Sequence, residues 1–199
     1  MLSLVDYNNS ILRINTAAVK FPLSTEDIQI IQNMKYSIQP AQLKQSNAAF
    51  ASVAGMAANQ WGLNKKIFLF CPVGDSVNNL EVIINPSYEP IDDRQACAWE
   101  GCFSVPLTAG YVRRYVHIKI TYQNEDGKFI FKELHNWPAR VWQHENDHLN
   151  GILYDDVKAG KCVDKKQFSS KEELWKFYKA KKEEQIKLSS SFKPNATNT

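Results

Sequence analysis

The segment Gln143-His144-Glu145-Asn146-Asp147-His148 constrains this chain more than any other. It holds a His-Glu-x-x-His pattern, and that pattern has chemical meaning only on a helix. Positions i and i+4 of a helix share one face, so both imidazoles can reach one ion. Glu145 sits beside the first histidine. There it can take a proton from water activated by the ion without ligating the ion itself. The spacing predicts a helix from Trp137 to Leu149, with Pro138 in its first turn and Gly151 ending it. Val141, His144 and His148 lie along its buried stripe.

Two histidines do not complete a catalytic site, which needs three protein ligands and one open position. His117 is expected on the exposed side of a strand. His135 ends a strand close to the metal helix. Cys102 stands in Trp99-Glu100-Gly101-Cys102-Phe103-Ser104, where a glycine permits tight backbone approach. Spacing alone leaves Cys102, Cys97 and His135 all open as the third ligand. There are four cysteines, no basic segment followed by a long apolar core, and no apolar run long enough to span a membrane. Thiols or ligands in a reduced, cytosolic compartment are therefore expected. The formal charge is +3, from 24 Lys plus Arg against 21 Asp plus Glu. That excess is too small and too dispersed to point to nucleic acid.

The 199 residues suit one domain. Ser24 and Asp27 form a capping box before Ile28, Ile31, Met34 and Ile38, which recur at helical spacing. Pro40 marks a break or a second short helix. Small residues fill Ala48 to Ala58. Lys66–Cys71 and Glu81–Asn85 read as strands, the second stopped by Pro86, with a loop from Pro72 to Asn79 between them. Tyr111–Tyr122 alternates like one half-buried strand, with Arg114 an oddity on its apolar side. The turn Asn124–Gly127 returns it to Lys128–Leu134 as a hairpin. A last helix starts at Ser170, with Leu174, Phe177 and Tyr178 inward and a Glu172–Lys176 pair outward. The expected fold is α+β: mixed, mainly antiparallel β-structure around the metal-binding helix, with N- and C-terminal helices. Residues 1–188 form the domain, and 189–199 are expected to be a disordered tail.

Three segments, in order, resemble those of the peptide deformylase family: Gly55-Met56-Ala57-Ala58-Asn59-Gln60, Glu100-Gly101-Cys102-Phe103-Ser104, and Gln143 through Gly151. The likeness covers roughly Ile11 to Asp156. It implies that Cys102 is the third ligand. It also implies the reaction, removal of the formyl group from the N-terminal methionine of newly made polypeptides. The ion it implies is ferrous iron in the cell, with zinc, nickel or cobalt able to occupy the site. Glu145 is then the proton acceptor, and the Gln60 amide and Phe103 backbone N–H stabilise the oxyanion. Asp147 is expected to orient a ligand histidine, and Glu100 to pair with Arg114. Gly55, Val53, Ala54, Ala98, Trp137 and Val141 match substrate-lining positions. A bacterial cytoplasmic location and N-formyl-methionyl nascent polypeptides as partners follow. A basic C-terminal helix (Lys176, Lys179, Lys181, Lys182) is one means of transient ribosome contact, diluted by Glu183 and Glu184.

The sequence departs from the family in three places. Val53 replaces a glycine, Phe103 a leucine, and Ala109 an arginine found in many bacterial members. The stretch from Gln39 to Ser52 is longer than in compact members. Competing readings are a metal-dependent peptidase, a structural metal protein, and a weakly active deformylase-like binder of nascent chains.

Overall fold

The computed structural model describes residues 1–45, 53–71, 79–156 and 160–191. Part of the small-residue run, most of the loop after Cys71 and the last eight residues of the tail lie outside these.

The first helix, α1 (Thr25–Ser37), is capped as its sequence predicts. The Asp27 N–H donates to the Ser24 hydroxyl at 3.1 Å, and the Ser24 N–H to the Asp27 carboxylate at 3.3 Å. Pro40 opens a second short helix, α2 (Pro40–Gln45), where its missing N–H costs nothing.

Among the described residues, eight strands follow in two antiparallel sheets. One contains β1 (Gly55–Ala57), β2 (Ile67–Phe70), β3 (Glu81–Pro90), β6 (His117–Gln123) and β7 (Phe129–His135), in that spatial order. The other contains β4 (Gln95–Cys102), β5 (Val105–Tyr115) and β8 (Cys162–Gln167). The helix α3 (Asn136–Leu149) lies between them, and α4 (Lys171–Ser191) packs beside β5. The fold is the expected α+β arrangement, and every strand pairing among the described residues is antiparallel.

Strand β2 is buried on both faces. Ile67 and Leu69 face a core shared with Ile31 and Met34 of α1 and with Ile38 just after it. Phe68 and Phe70 face a second core with Trp142 and Ala139 of α3. That two-sided burial explains the unbroken apolar run Ile-Phe-Leu-Phe. Both phenylalanines meet Trp142 edge to face, at 4.9 and 5.6 Å between centroids.

Two expectations fail here. The alternating segment Tyr111–Tyr122 is not one strand. It is the end of β5 and most of β6, in different sheets. Val116 makes the switch: its N–H donates to the Arg94 carbonyl, and its own carbonyl accepts from Asn136. The two-residue period runs through the switch because both strands bury alternate residues, so periodicity cannot reveal it. Nor does Pro86 stop β3, which continues to Pro90. A register shift between Ile84 and Ser87 absorbs the proline, with Asn85 at φ +50°. The Asn85 side chain bonds both the N–H and the carbonyl of Val19. At the other end of the chain, α4 continues three residues past Leu188.

Candidate metal centre

The helix α3 starts directly after β7, with Asn136 at φ +53° as the hinge residue. Its inner face carries Val141, His144, Glu145 and His148. Cys102 is the last residue of β4. A two-residue turn, Phe103-Ser104, leads into β5, so Val105 pairs back onto Cys102. The hairpin tip thus delivers its thiol to the helix. The Cys102 sulfur lies 3.1 Å from His148 Nε2. The candidate ligand atoms of Cys102, His144 and His148 all fall within 4.8 Å of one another. Cys97 and His135, the alternatives left open by spacing, do not join this group.

The donor chemistry suits a late first-row divalent ion: two imidazoles and a thiolate supply three of the four ligands that such an ion takes. A second observation agrees. Glu145 is 4% exposed, and its Oε2 has no hydrogen-bond partner. Burial pushes its carboxyl up to about 7. Its carbon chain rests on Gly55, where a Cβ would come within 2.6 Å of Glu145 Cγ. Only glycine leaves space for that carboxylate. A buried carboxylate oxygen without a partner, beside a three-ligand cluster, fits a site built to take an ion and water.

Gln60 reaches the same place from the turn after β1. Its Oε1 accepts from the Ala57 N–H at 2.8 Å, which fixes the amide plane. Its Nε2 then points at the Cys102 sulfur (3.4 Å) and the Ser104 hydroxyl (3.1 Å). The Ser104 N–H also donates to the sulfur at 3.4 Å. Phe103, beside the thiol, packs its ring against the core under α1.

Behind the ligands lies a buried ionic network. Arg114 grips Glu100 through Nε and Nη2, both at 2.8 Å, and donates Nη1 to Asp147 at 2.5 Å. Glu100 Oε2 lies 2.9 Å from His144 Nδ1, so Glu100 orients that imidazole. Burial alone would raise the Glu100 carboxyl, but the Arg114 guanidinium more than offsets it and holds it well below the usual carboxylate range. The expected pairing of Glu100 with Arg114 is therefore present. The expected contact of Asp147 with a ligand histidine is not. Its carboxylate is taken by Arg114 and by Lys161 Nζ at 2.6 Å.

The substrate-lining candidates divide. Gly55 touches Glu145. Ala54 and Ala98 are half-buried, and Trp137 is 52% exposed. Val53 and Val141 are both 7% exposed and sit in the two separate cores flanking the five-stranded sheet. The Val53 side chain therefore fills the core under α1. Ala109 is fully buried in β5.

Sequence reasoning passed over three residues. Arg140 donates to Glu100 at 2.6 Å and to the Val112 and Ala96 carbonyls. Its place one helical turn before His144 was a usable signal. Tyr154 stacks on His144 at 5.9 Å, and Asn59 donates to the His148 carbonyl at 2.6 Å. Asn59 lies in the first signature segment beside Gln60 but was given no role there, and nothing in the local sequence marks Tyr154.

Known proteins agree with this geometry. Residues 1–162 match the family described as Polypeptide deformylase. The chain is 34% identical to peptide deformylase 1 of Bifidobacterium longum, over 78% of this chain and 72% of that one. It is 38% identical to a peptide deformylase of Lacticaseibacillus casei, over 73% and 83%. The crystal structure of peptide deformylase from Thermotoga maritima superposes with a TM-score of 0.63 at 28% identity, covering 82% of this chain and 99% of that one. An actinonin-bound class I type b peptide deformylase from Acinetobacter baumannii gives the same TM-score at 28% identity, covering 77% and 95%. With its cysteine and two histidines converging on one divalent-metal site, the chain belongs to the polypeptide deformylase family, metal-dependent hydrolases that remove the N-formyl group.

Proposed function

We propose that the chain deformylates the initiating methionine of newly made polypeptides with Glu145 as its proton carrier and Gln60 and Phe103 as its oxyanion donors. The observation that carries this reading is the partnerless Oε2 of buried Glu145, whose side chain rests on Gly55 and which shares α3 with both ligand histidines. Cys102, His144 and His148 would hold the ion, ferrous in the cell and replaceable by zinc, nickel or cobalt. When bound, such an ion supplies the Lewis acidity that makes water nucleophilic near neutral pH.

The side chains do the rest. Glu145 accepts the proton of the attacking water and returns it to the departing amine. The Gln60 Nε2, held by Ala57, and the Phe103 N–H at the hairpin tip donate to the formyl oxygen as negative charge grows there. Glu100, itself held by Arg114 and Arg140, keeps the His144 imidazole in one orientation. Ala54, Ala98 and the exposed Trp137 are the proposed lining for the methionine side chain, with Val141 one helical turn behind Trp137. Among the described residues no helix is long and apolar enough to cross a membrane, and we assign the reaction to the bacterial cytosol. Ribosome contact through α4 is the less favoured addition. Lys176 already pairs with Glu172, while Lys179 and Lys181 lie over Trp175 and Phe177.

The test is formate release from a formyl-methionyl peptide by anaerobically prepared iron protein. Glu145→Gln should lower kcat by about 10²- to 10⁴-fold. Undiminished turnover in that variant would sink the mechanism, and cleavage of an internal amide without formate would favour a peptidase.

A further inference from the structure

The solvent face of the β6–β7 hairpin carries a second histidine cluster. His117 and His135 stand directly opposite each other in the antiparallel register. Their rings are stacked, with centroids 3.8 Å apart and planes 26° from parallel. Glu133, two residues before His135, points to the same face, and its carboxylate lies 3.1 Å from His117 Nε2. Candidate ligand atoms of His117, Glu133 and His135 fall within 4.8 Å of one another. A second carboxylate, Asp92, stands 3.6 Å from His117 Nδ1. It arrives from the turn after β3, where the Ile91 N–H donates to the His117 carbonyl. The hydrogen bond from Arg94 keeps Asp92 ionised.

We propose that His117, His135 and Glu133 form a second cation site, selective for a late first-row ion such as Ni²⁺ or Zn²⁺. Directly opposed residues have Cβ atoms about 5 Å apart. Two imidazoles from such positions converge on one ion by side-chain rotation alone, at bond lengths of about 2.0–2.1 Å. The backbone that sets this spacing is held on both sides, because β6 also pairs with β3. Two nitrogens and one or two carboxylates match the preference of nickel and zinc. Magnesium and calcium, which seek oxygen shells, are disfavoured. Glu133 and His135 are exposed, so water can complete the shell. The group shares no residue with the Cys102 centre.

Its place in the fold gives it a consequence. His135 is the last residue before α3, and the next N–H, that of Asn136, donates to the Val116 carbonyl at 2.7 Å. An ion bridging His117 and His135 would clamp the start of the helix that carries Glu145. Binding would therefore raise the melting temperature.

The test is equilibrium dialysis of tag-free, nickel-loaded enzyme against micromolar NiCl₂, followed by metal counting. About two nickel ions per chain are expected, with a melting temperature above that of protein holding one ion. His135→Ala and His117→Gln should each hold about one ion, lose the thermal shift and release formate at the wild-type rate. A single ion in the wild type, or two retained in both variants, would overturn the proposal. Either count can be made whether or not the Cys102 centre acts by the route proposed above.

Discussion

The two sides of α3 are held by opposite physics. Toward the five-stranded sheet the contact is dry: Ala139, Trp142 and Leu149 meet Phe68, Phe70, Ile118 and Ile120. Toward the three-stranded sheet it is ionic: Arg140, His144 and Asp147 meet Glu100 and Arg114. An apolar wall fixes where the helix lies, and tolerates changes that roughly conserve volume. Charged groups under fixed geometry also fix how the helix is rotated and how a ligand ring points. That precision is brittle, because a buried charge that loses its partner is costly. Cys102 and the carboxylate that orients His144 come from the brittle side, while Glu145 rests on Gly55 of the five-stranded sheet.

The largest effect should come from Arg114→Leu. It leaves buried Glu100 with only Arg140 and His144, and Asp147 with only Lys161, and should cost about 3–5 kcal/mol, read from the urea midpoint. A loss below ~1 kcal/mol would erase the contrast between the two sides. Glu100→Gln keeps one accepting oxygen but removes the charge that Arg114, Arg140 and His144 share. Removing the carboxylate behind His144 should weaken metal binding about 10- to 100-fold in competition with a chelator. Trp142→Phe tests the dry side. Its indole N–H has no partner, so only volume is lost, and about 1–2 kcal/mol is expected. Metal affinity should stay at the wild-type value, and a parallel fall with Glu100→Gln would show the two walls to be one mechanical unit.

The smallest effect concerns Asp27, an ion pair at the rim of the dry region. Burial alone would raise its carboxyl, but Lys65 and Ser24 more than offset this and hold it below the ordinary value. Its folded pKa is depressed, so its contribution is complete above the unfolded carboxylate range and is lost as pH falls through the folded value. Asp27→Asn should cost about 1 kcal/mol at neutral pH, with the gap to wild type closing below pH ~4. A gap unchanged at acid pH would assign the loss to capping geometry rather than charge.

The dry side was the more legible in the sequence. Ser24 and Asp27 announce α1, and the apolar run at Ile67 announces β2, because those signals are local. His144, Glu145 and His148 were legible for the same reason, since helical spacing alone puts them on one face. The ionic side was harder to read. Asp147 meets Arg114 across 33 residues, and Glu100 meets His144 across 44. Spacing does not encode such partners: the family resemblance put Asp147 on a histidine, and Arg140 was overlooked although it stands one helical turn before His144. Strand β4 escaped notice because its outer half is exposed and rich in small residues. The sheet change at Val116 was hidden by a period that both strands share.

Cys102 and His148 touch although 46 residues separate them along the chain. One belongs to the three-stranded sheet and the other to a helix seated on the five-stranded sheet. An ion ligated by both would close a loop of a size for which chain entropy favours the folded state by roughly 4 kcal/mol, by analogy with a disulfide-bonded loop. The ligand set is therefore a fastener as well as a reaction centre. A cell that runs short of the ion would lose activity and, with it, one of the ties across the seam between the two sheets.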